Sequence, residues 1–183
     1  LKSETPQVRS RHAARETAFK AVYAMMVGKM DLEEALDCAQ QGLEFTEDNL
    51  TWMRALIGGL MGYPALWDEK FGPLLSPKWP MERLSITDKT ILRMACFELW
   101  KLPDVPPKVT ISEYVAIAKL YGSAESSRFV NGVLASVLLI SPKADWKPGD
   151  EPTRIPVPQT LTPESPLPSP EPLAPAWILK TEA

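Results

Sequence analysis

Eleven of the nineteen prolines fall between Pro142 and Pro175. Each one fixes φ and removes a backbone donor, so the run "PVPQTLTPESPLPSPEPLAPAW" supports neither a helix nor a central strand. Residues 142–183 therefore read as a disordered or partly polyproline II tail, with an apolar Trp177-Ile178-Leu179 cluster near its end. Its PxxP-like spacing suits a proline-reading domain, although a solvated tail is the simpler reading. Any core must come from the residues before Pro142. A chain of 183 residues sets the expectation of one domain with an appendage.

Before Pro142 the apolar residues recur at a spacing of three to four, which predicts helices almost throughout. The first is expected from Ser10 to Val27, with Ala14, Ala18, Val22 and Met25 facing inward and Gly28 ending it. The second starts at Asp31, paired with Glu34 as in a capping box, and runs to about Leu43. The third starts at Thr46, buries Leu50, Met53, Ile57, Leu60 and Met61, and stops at Gly62. The fourth begins at Pro64, a favoured first-turn position, and ends by Gly72-Pro73.

After a loop at "SPKWP", Ser85 caps a fifth helix with Ile91, Met94, Ala95 and Leu99 inward. The loop "LPDVPPK" follows. A sixth helix over 110–121 carries Ile111, Val115 and Ala118. Ser123 caps the seventh, which contains "RFVNGVL". The expected class is all-α, about seven helices. A short arm, 1–8, precedes the helical domain, 9–141.

Asn131-Gly132 inside the seventh helix needs a reason, because Asn-Gly favours a hairpin and Gly costs about 1 kcal/mol against Ala in a helix. Close approach of a neighbour to Gly132 is one reason. Asn131 satisfying carbonyls of the proline-rich loop is the other. Arg128 and Phe129, one turn earlier, are then left for a binding surface.

The formal charge of −3 hides segregation: the net is +4 over 1–29, −7 over 30–77, +3 over 78–143 and −3 over 144–183. An acidic total does not exclude nucleic acid, because a local basic surface attracts phosphate. Solvated helix faces would give the same pattern. The two cysteines, Cys38 and Cys96, fit reduced, buried positions better than a disulfide framework. No apolar run reaches the length of a membrane span and no secretory signal is evident, so a cytoplasmic location is expected. The first residue is Leu, which fits a non-standard start codon or a trimmed end.

Catalytic patterns are weak. The single histidine, His12, has no partner at metal spacing, and two isolated cysteines make no zinc pattern. No phosphate-cradling glycine loop occurs. Glu113, Glu125, Asp88 and Glu98 read as surface carboxylates. Binding features are stronger. "VRSRHAARETAFKAVY" places Arg9, Arg11, His12 and Arg15 at the start of an alanine-rich helix, where arginines reach phosphates or simply stay solvated. "KLYGSAESSRFVNGVL" interleaves Tyr121 and Phe129 with Lys119 and Arg128, a mixture suited to unpaired bases if the rings are not core.

Three blocks in order, "ARETAFKAVY", "LSITDKTILRMACFELWKLPDVPPKVTISEYVAIAKLYG" and "SSRFVNGVL", resemble the NusB family over residues 9–139. The resemblance implies an all-helical fold of two packed helical subdomains. It also implies binding to single-stranded boxA RNA with a small-subunit ribosomal protein, called NusE in this role. Together with other Nus factors such a complex joins the RNA polymerase elongation complex, chiefly on ribosomal RNA operons. No cofactor and no catalytic activity are implied.

By this resemblance Arg9, Arg11, His12 and Arg15 form the basic segment, interrupted here by Ser10 and Ala13. Arg93 and Lys108 are candidate phosphate contacts, Tyr121 and Phe129 base contacts, and Arg128 and Glu125 lie beside them. Asp88 corresponds to the ribosomal-protein face. Pro107 stands where an aromatic is common. Some members of the family dimerise, so a homodimer or a protein-interaction module with little RNA affinity is the alternative. NusB-like domains also precede some RNA methyltransferase domains, but this chain shows no nucleotide-binding pattern.

Overall fold

Polar caps set most helix starts. In the computed structural model, which describes residues 7–147, the side chains of Ser10, Asp31, Thr46 and Ser85 accept from the backbone N–H three residues on. They satisfy donors that a helix N-terminus leaves free. The helices are α1 (Arg11–Gly28), α2 (Leu32–Gln40), α3 (Glu47–Met61), α4 (Pro64–Phe71), α5 (Ile86–Lys101), α6 (Pro107–Tyr121) and α7 (Ser126–Ile140). Two 3-10 turns, Gly72–Leu74 and Met81–Arg83, lie between α4 and α5. No strand occurs among the described residues, only an isolated bridge between Val8 and Phe45. The proline-rich segment from 148 and residues 1–6 of the expected arm lie outside the described residues.

The expected helix order holds, and the boundaries differ where chemistry overrides simple signals. Gly28 is the last residue of α1, but Lys29 takes the left-handed turn at φ 57°. Gln41 at φ 53° and Gly42 at φ 81° stop α2 before Leu43. The α6 helix starts at Pro107 rather than Thr110, because proline suits a first turn whose N–H needs no partner. Its inward stripe is accordingly Thr110, Tyr114, Ile117 and Ala118, while Ile111 and Val115 are half-buried. Ser123 does not cap α7; its N–H donates to Ser126 Oγ instead, at 2.9 Å.

α1 packs against α2 and α3, while α5, α6 and α7 pack on one another with α4 against α5 and α7. α1 and α3 also lie on α5 and so join the two groups. Alanines 14, 18 and 21 on α1 are fully buried and let that helix come close. Nine of the sixteen residues of α5 are buried, which makes it the central element. Among the described residues no helix is long and apolar enough to cross a membrane.

The close approach expected at Gly132 occurs elsewhere. A Cβ on Gly132 would meet nothing within 4 Å, and Asn131 is exposed. Gly59 on α3 and Gly122 after α6 are the crowded glycines: a Cβ would run into the Phe97 ring of α5 at the first and into Ser126 at the second. The carbonyls of the proline-rich loop are served by Lys143, whose Nζ donates to Leu102 O at 2.6 Å, Val105 O at 2.5 Å and Glu98 O at 3.3 Å. The buried Ser141 and Lys143 carry the ordered body to and beyond the boundary drawn at 141. Cys96 is buried, and burial lifts its thiol to about 12, whereas Cys38 is exposed rather than on an inward face.

Candidate nucleic-acid interface

The basic segment is anchored before its helix begins. Val8 N–H donates to Glu44 O at 2.6 Å, and Val8 O accepts from Thr46 N–H and Asn49 Nδ2. This tie brings the start of α1 to the start of α3. Arg11 then donates to Asp48 Oδ2 and Asn49 Oδ1, both at 2.7 Å, and lies 5.1 Å from the centre of the Trp52 ring. Arg9 is exposed and pairs with no described residue.

One turn later the chemistry inverts. Arg15 is 4% exposed, and its Nε and Nη2 each donate at 2.9 Å to the carboxylate of Glu98, which is fully buried. Glu98 also accepts from Thr110 Oγ1 at 2.8 Å and Tyr114 OH at 3.3 Å. Burial opposes charge on Arg15, but the Glu98 bonds and charge outweigh it and raise its pKa. Burial, followed by the Glu98 charge, raises Tyr114 well above its ordinary value. Arg15 is thus corrected from an RNA contact to an interior strut, and Glu98 from a surface carboxylate to its partner. A single carboxylate inside the apolar stripe of α5, between Phe97 and Leu99, is the signal that could have revealed this.

The seam between α1 and α6 continues at the surface. His12 Nδ1 lies 2.7 Å from Glu113 Oε2, which is also 3.8 Å from Arg15 Nη1. Glu16 accepts from Tyr121 OH at 2.5 Å and from Lys20 Nζ at 2.9 Å. These bonds, Tyr121 first, lower the pKa of Glu16. The Tyr121 ring sits 5.2 Å from Phe19 with the Lys20 ammonium 5.7 Å from its centre. It is partly exposed, with its hydroxyl already engaged.

The other predicted residues scatter. Arg93 is bound through two donors to Asp68 at 2.7 and 2.6 Å, and its side chain is 11% exposed, so it is committed to joining α5 to α4. Lys108 is exposed in the first turn of α6. Arg128 and Glu125 are exposed, and Phe129 is half-buried, 6.4 Å from Trp79. Asp88 Oδ2 accepts from Ser85 Oγ at 2.9 Å, while its Oδ1 is buried with no partner. His12, Arg15 and Tyr121 therefore share one seam with Arg11 beside it, but no contact joins Arg11 to Phe129.

The described residues form an all-helical body with exposed cations at the start of α1, α6 and α7. Residues 12–138 match the NusB family, and the chain belongs to that family. It is 32% identical over 129 residues to transcription antitermination protein NusB of Oceanobacillus iheyensis, covering 70% of this chain and 98% of the relative. It is 38% identical over 127 residues to the protein of that name from Syntrophus aciditrophicus, covering 69% and 78%.

A solved structure of T. maritima NusB aligns with TM-score 0.64 and 32% identity, over 72% of this chain and 92% of that one. A chain from a crystal structure of antitermination factors NusB and NusE in complex with dsRNA aligns at 0.61 and 23% identity, over 72% and 97%. That second likeness speaks to the fold.

Proposed function

We propose that this chain is a transcription antitermination factor that binds boxA RNA together with a small-subunit ribosomal protein, NusE. On this reading it supports RNA polymerase elongation, chiefly through ribosomal RNA operons, as a cytoplasmic adaptor without cofactor or catalytic step. The family match over residues 12–138 carries the reading. The name of the relatives and the solved NusB–NusE complex with dsRNA support it. Arg9, Lys108 and Arg128 are the free phosphate contacts, with Arg11, His12, Tyr121, Glu125 and Phe129 at the same surface regions. Asp88 faces the ribosomal protein.

The test is a mobility-shift titration with a boxA-like single strand, with and without the ribosomal protein. Three to five phosphate contacts give a log–log salt slope of about −2 to −3.5. A slope near zero, or no binding with the partner present, refutes the reading.

One observation favours the alternative of a protein-interaction module, including a homodimer, with little RNA affinity. Three of the candidate arginines, Arg11, Arg15 and Arg93, are already paired with carboxylates of the same chain. Binding to the ribosomal protein with indifference to RNA would select that alternative.

A further inference from the structure

The loop at residues 75–80 carries an exposed ring that the family argument leaves unused. Trp79 is 55% exposed, although tryptophan normally hides most of its surface. The loop holds it firmly: Trp79 N–H donates to Ser76 O at 2.8 Å, Lys78 N–H to Ser76 Oγ at 3.3 Å, and Arg83 Nη1 to Lys78 O at 3.4 Å. Phe129 of α7 stands 6.4 Å behind the ring at an interplanar angle of 47°. The ring thus has Phe129 as a neighbour and keeps more than half of its residue surface open.

Its neighbours are cationic. Lys78, Arg83 and Arg128 are exposed, and none forms an ion pair with a described residue. The acidic residues beside them in sequence, Glu82 and Glu125, are exposed and unpaired with them as well. This differs from the α1–α6 seam, where His12, Arg15, Lys20 and Tyr121 each have a carboxylate on them. An exposed ring with exposed cations in its own segment, Lys78 and Arg83, and at Arg128 next to Phe129 matches a nucleotide, which offers a π-face and a phosphate together. An apolar protein surface would instead need exposed apolar neighbours, whereas Lys78, Glu82 and Arg83 of the same segment and Arg128 next to Phe129 are exposed and charged. A ring held in place before binding also loses little freedom on contact.

We propose that Trp79 is a base-stacking platform for single-stranded RNA, backed by Phe129, with Lys78, Arg83 and Arg128 as its phosphate contacts. The proposal rests on the RNA-binding reading above and extends it to the 75–83 segment.

The experiment uses the full chain with the small-subunit ribosomal protein and a fluorescently labelled boxA-like strand, comparing the parent with Trp79→Ala, Trp79→Phe and Lys78→Ala. Trp79→Ala should weaken binding roughly tenfold, the scale of one lost base stack, and Trp79→Phe should recover most of it. Lys78→Ala should reduce the salt slope by about 0.7, as for one phosphate of a single strand. Unfolding midpoints are measured beside each titration.

If the parent binds and Trp79→Ala binds equally well, the platform is wrong and the antitermination reading stands. If the parent binds no RNA, that reading falls first. A loss that Trp79→Phe does not rescue, with a lowered unfolding midpoint, makes the ring structural and overturns the proposal. So does weaker capture of the ribosomal protein with RNA affinity unchanged.

Discussion

Arg15 and Arg128 carry the same guanidinium, each within the first turns of a helix, and they meet opposite fates. Arg15 lies under the α1–α6 seam with both arms on Glu98, whereas Arg128 opens α7 on the surface with no carboxylate on it. The same contrast separates Gly59, crowded by Phe97, from Gly132, which faces open space. It separates Lys143, 5% exposed and donating to three carbonyls, from the exposed Lys78. Residue type sets what a side chain can do. A partner tens of residues away decides whether that capacity is used inside the fold or remains for a ligand.

The largest test of this contrast is Glu98→Ala. It strands a buried guanidinium and should cost roughly 3–5 kcal/mol, read from urea unfolding. Replacing the pair together, Arg15→Met with Glu98→Leu, should cost far less because no charge is left unpaired. Equal losses from the single and the double change would break the interior-strut account of Arg15.

Gly59→Ala should destabilise by about 1–3 kcal/mol through overpacking on Phe97. In contrast, Gly132→Ala should stabilise by up to about 1 kcal/mol, since an exposed helical glycine loses only its excess backbone freedom. Denaturant midpoints of the two variants should therefore move in opposite directions.

Lys143→Met leaves Val105 O without its donor, while Glu98 O and Leu102 O each keep one backbone N–H, at a cost of roughly 1–3 kcal/mol. It also carries a pH signature. Burial draws the Lys143 ammonium from its ordinary 10.5 down to about 8. Between those values the unfolded chain holds a proton that the folded chain has released, so this residue's contribution to stability rises with pH across the window. Unfolding free energies of parent and variant should diverge as pH climbs through it. A constant difference would refute the assignment.

The smallest effect is expected at Arg11, whose partner Asp48 is largely exposed. Arg11→Ala should cost about 1 kcal/mol, because solvent and salt screen the pair with Asp48 and the main loss is the donor to the buried Asn49 Oδ1. Its thermal midpoint is read beside its RNA affinity, and a large drop would break the comparison.

Local signals were readable in advance, and long-range pairings were not. Ser10, Asp31, Thr46 and Ser85 announce helix starts because a cap is decided within one turn. Pro106-Pro107 looked like loop, since proline both ends helices and opens them, and only its neighbours settle which. Arg15 looked like a phosphate contact because its carboxylate lies 83 positions away. The prolines around Trp79 signal only a loop, and its exposure depends on where α7 brings Phe129. Lys143 was hidden by its setting, just past Pro142, where composition argues for tail rather than core.

Lys143 also has a consequence for where this molecule ends as a physical object. A polypeptide cut after Ile140 would keep every described helix and still lack the plug that closes the α5 terminus. The smallest piece able to fold on its own should therefore retain the turn after the last helix. A protease nicking that turn would loosen the centre of the body, far along the chain from the cut.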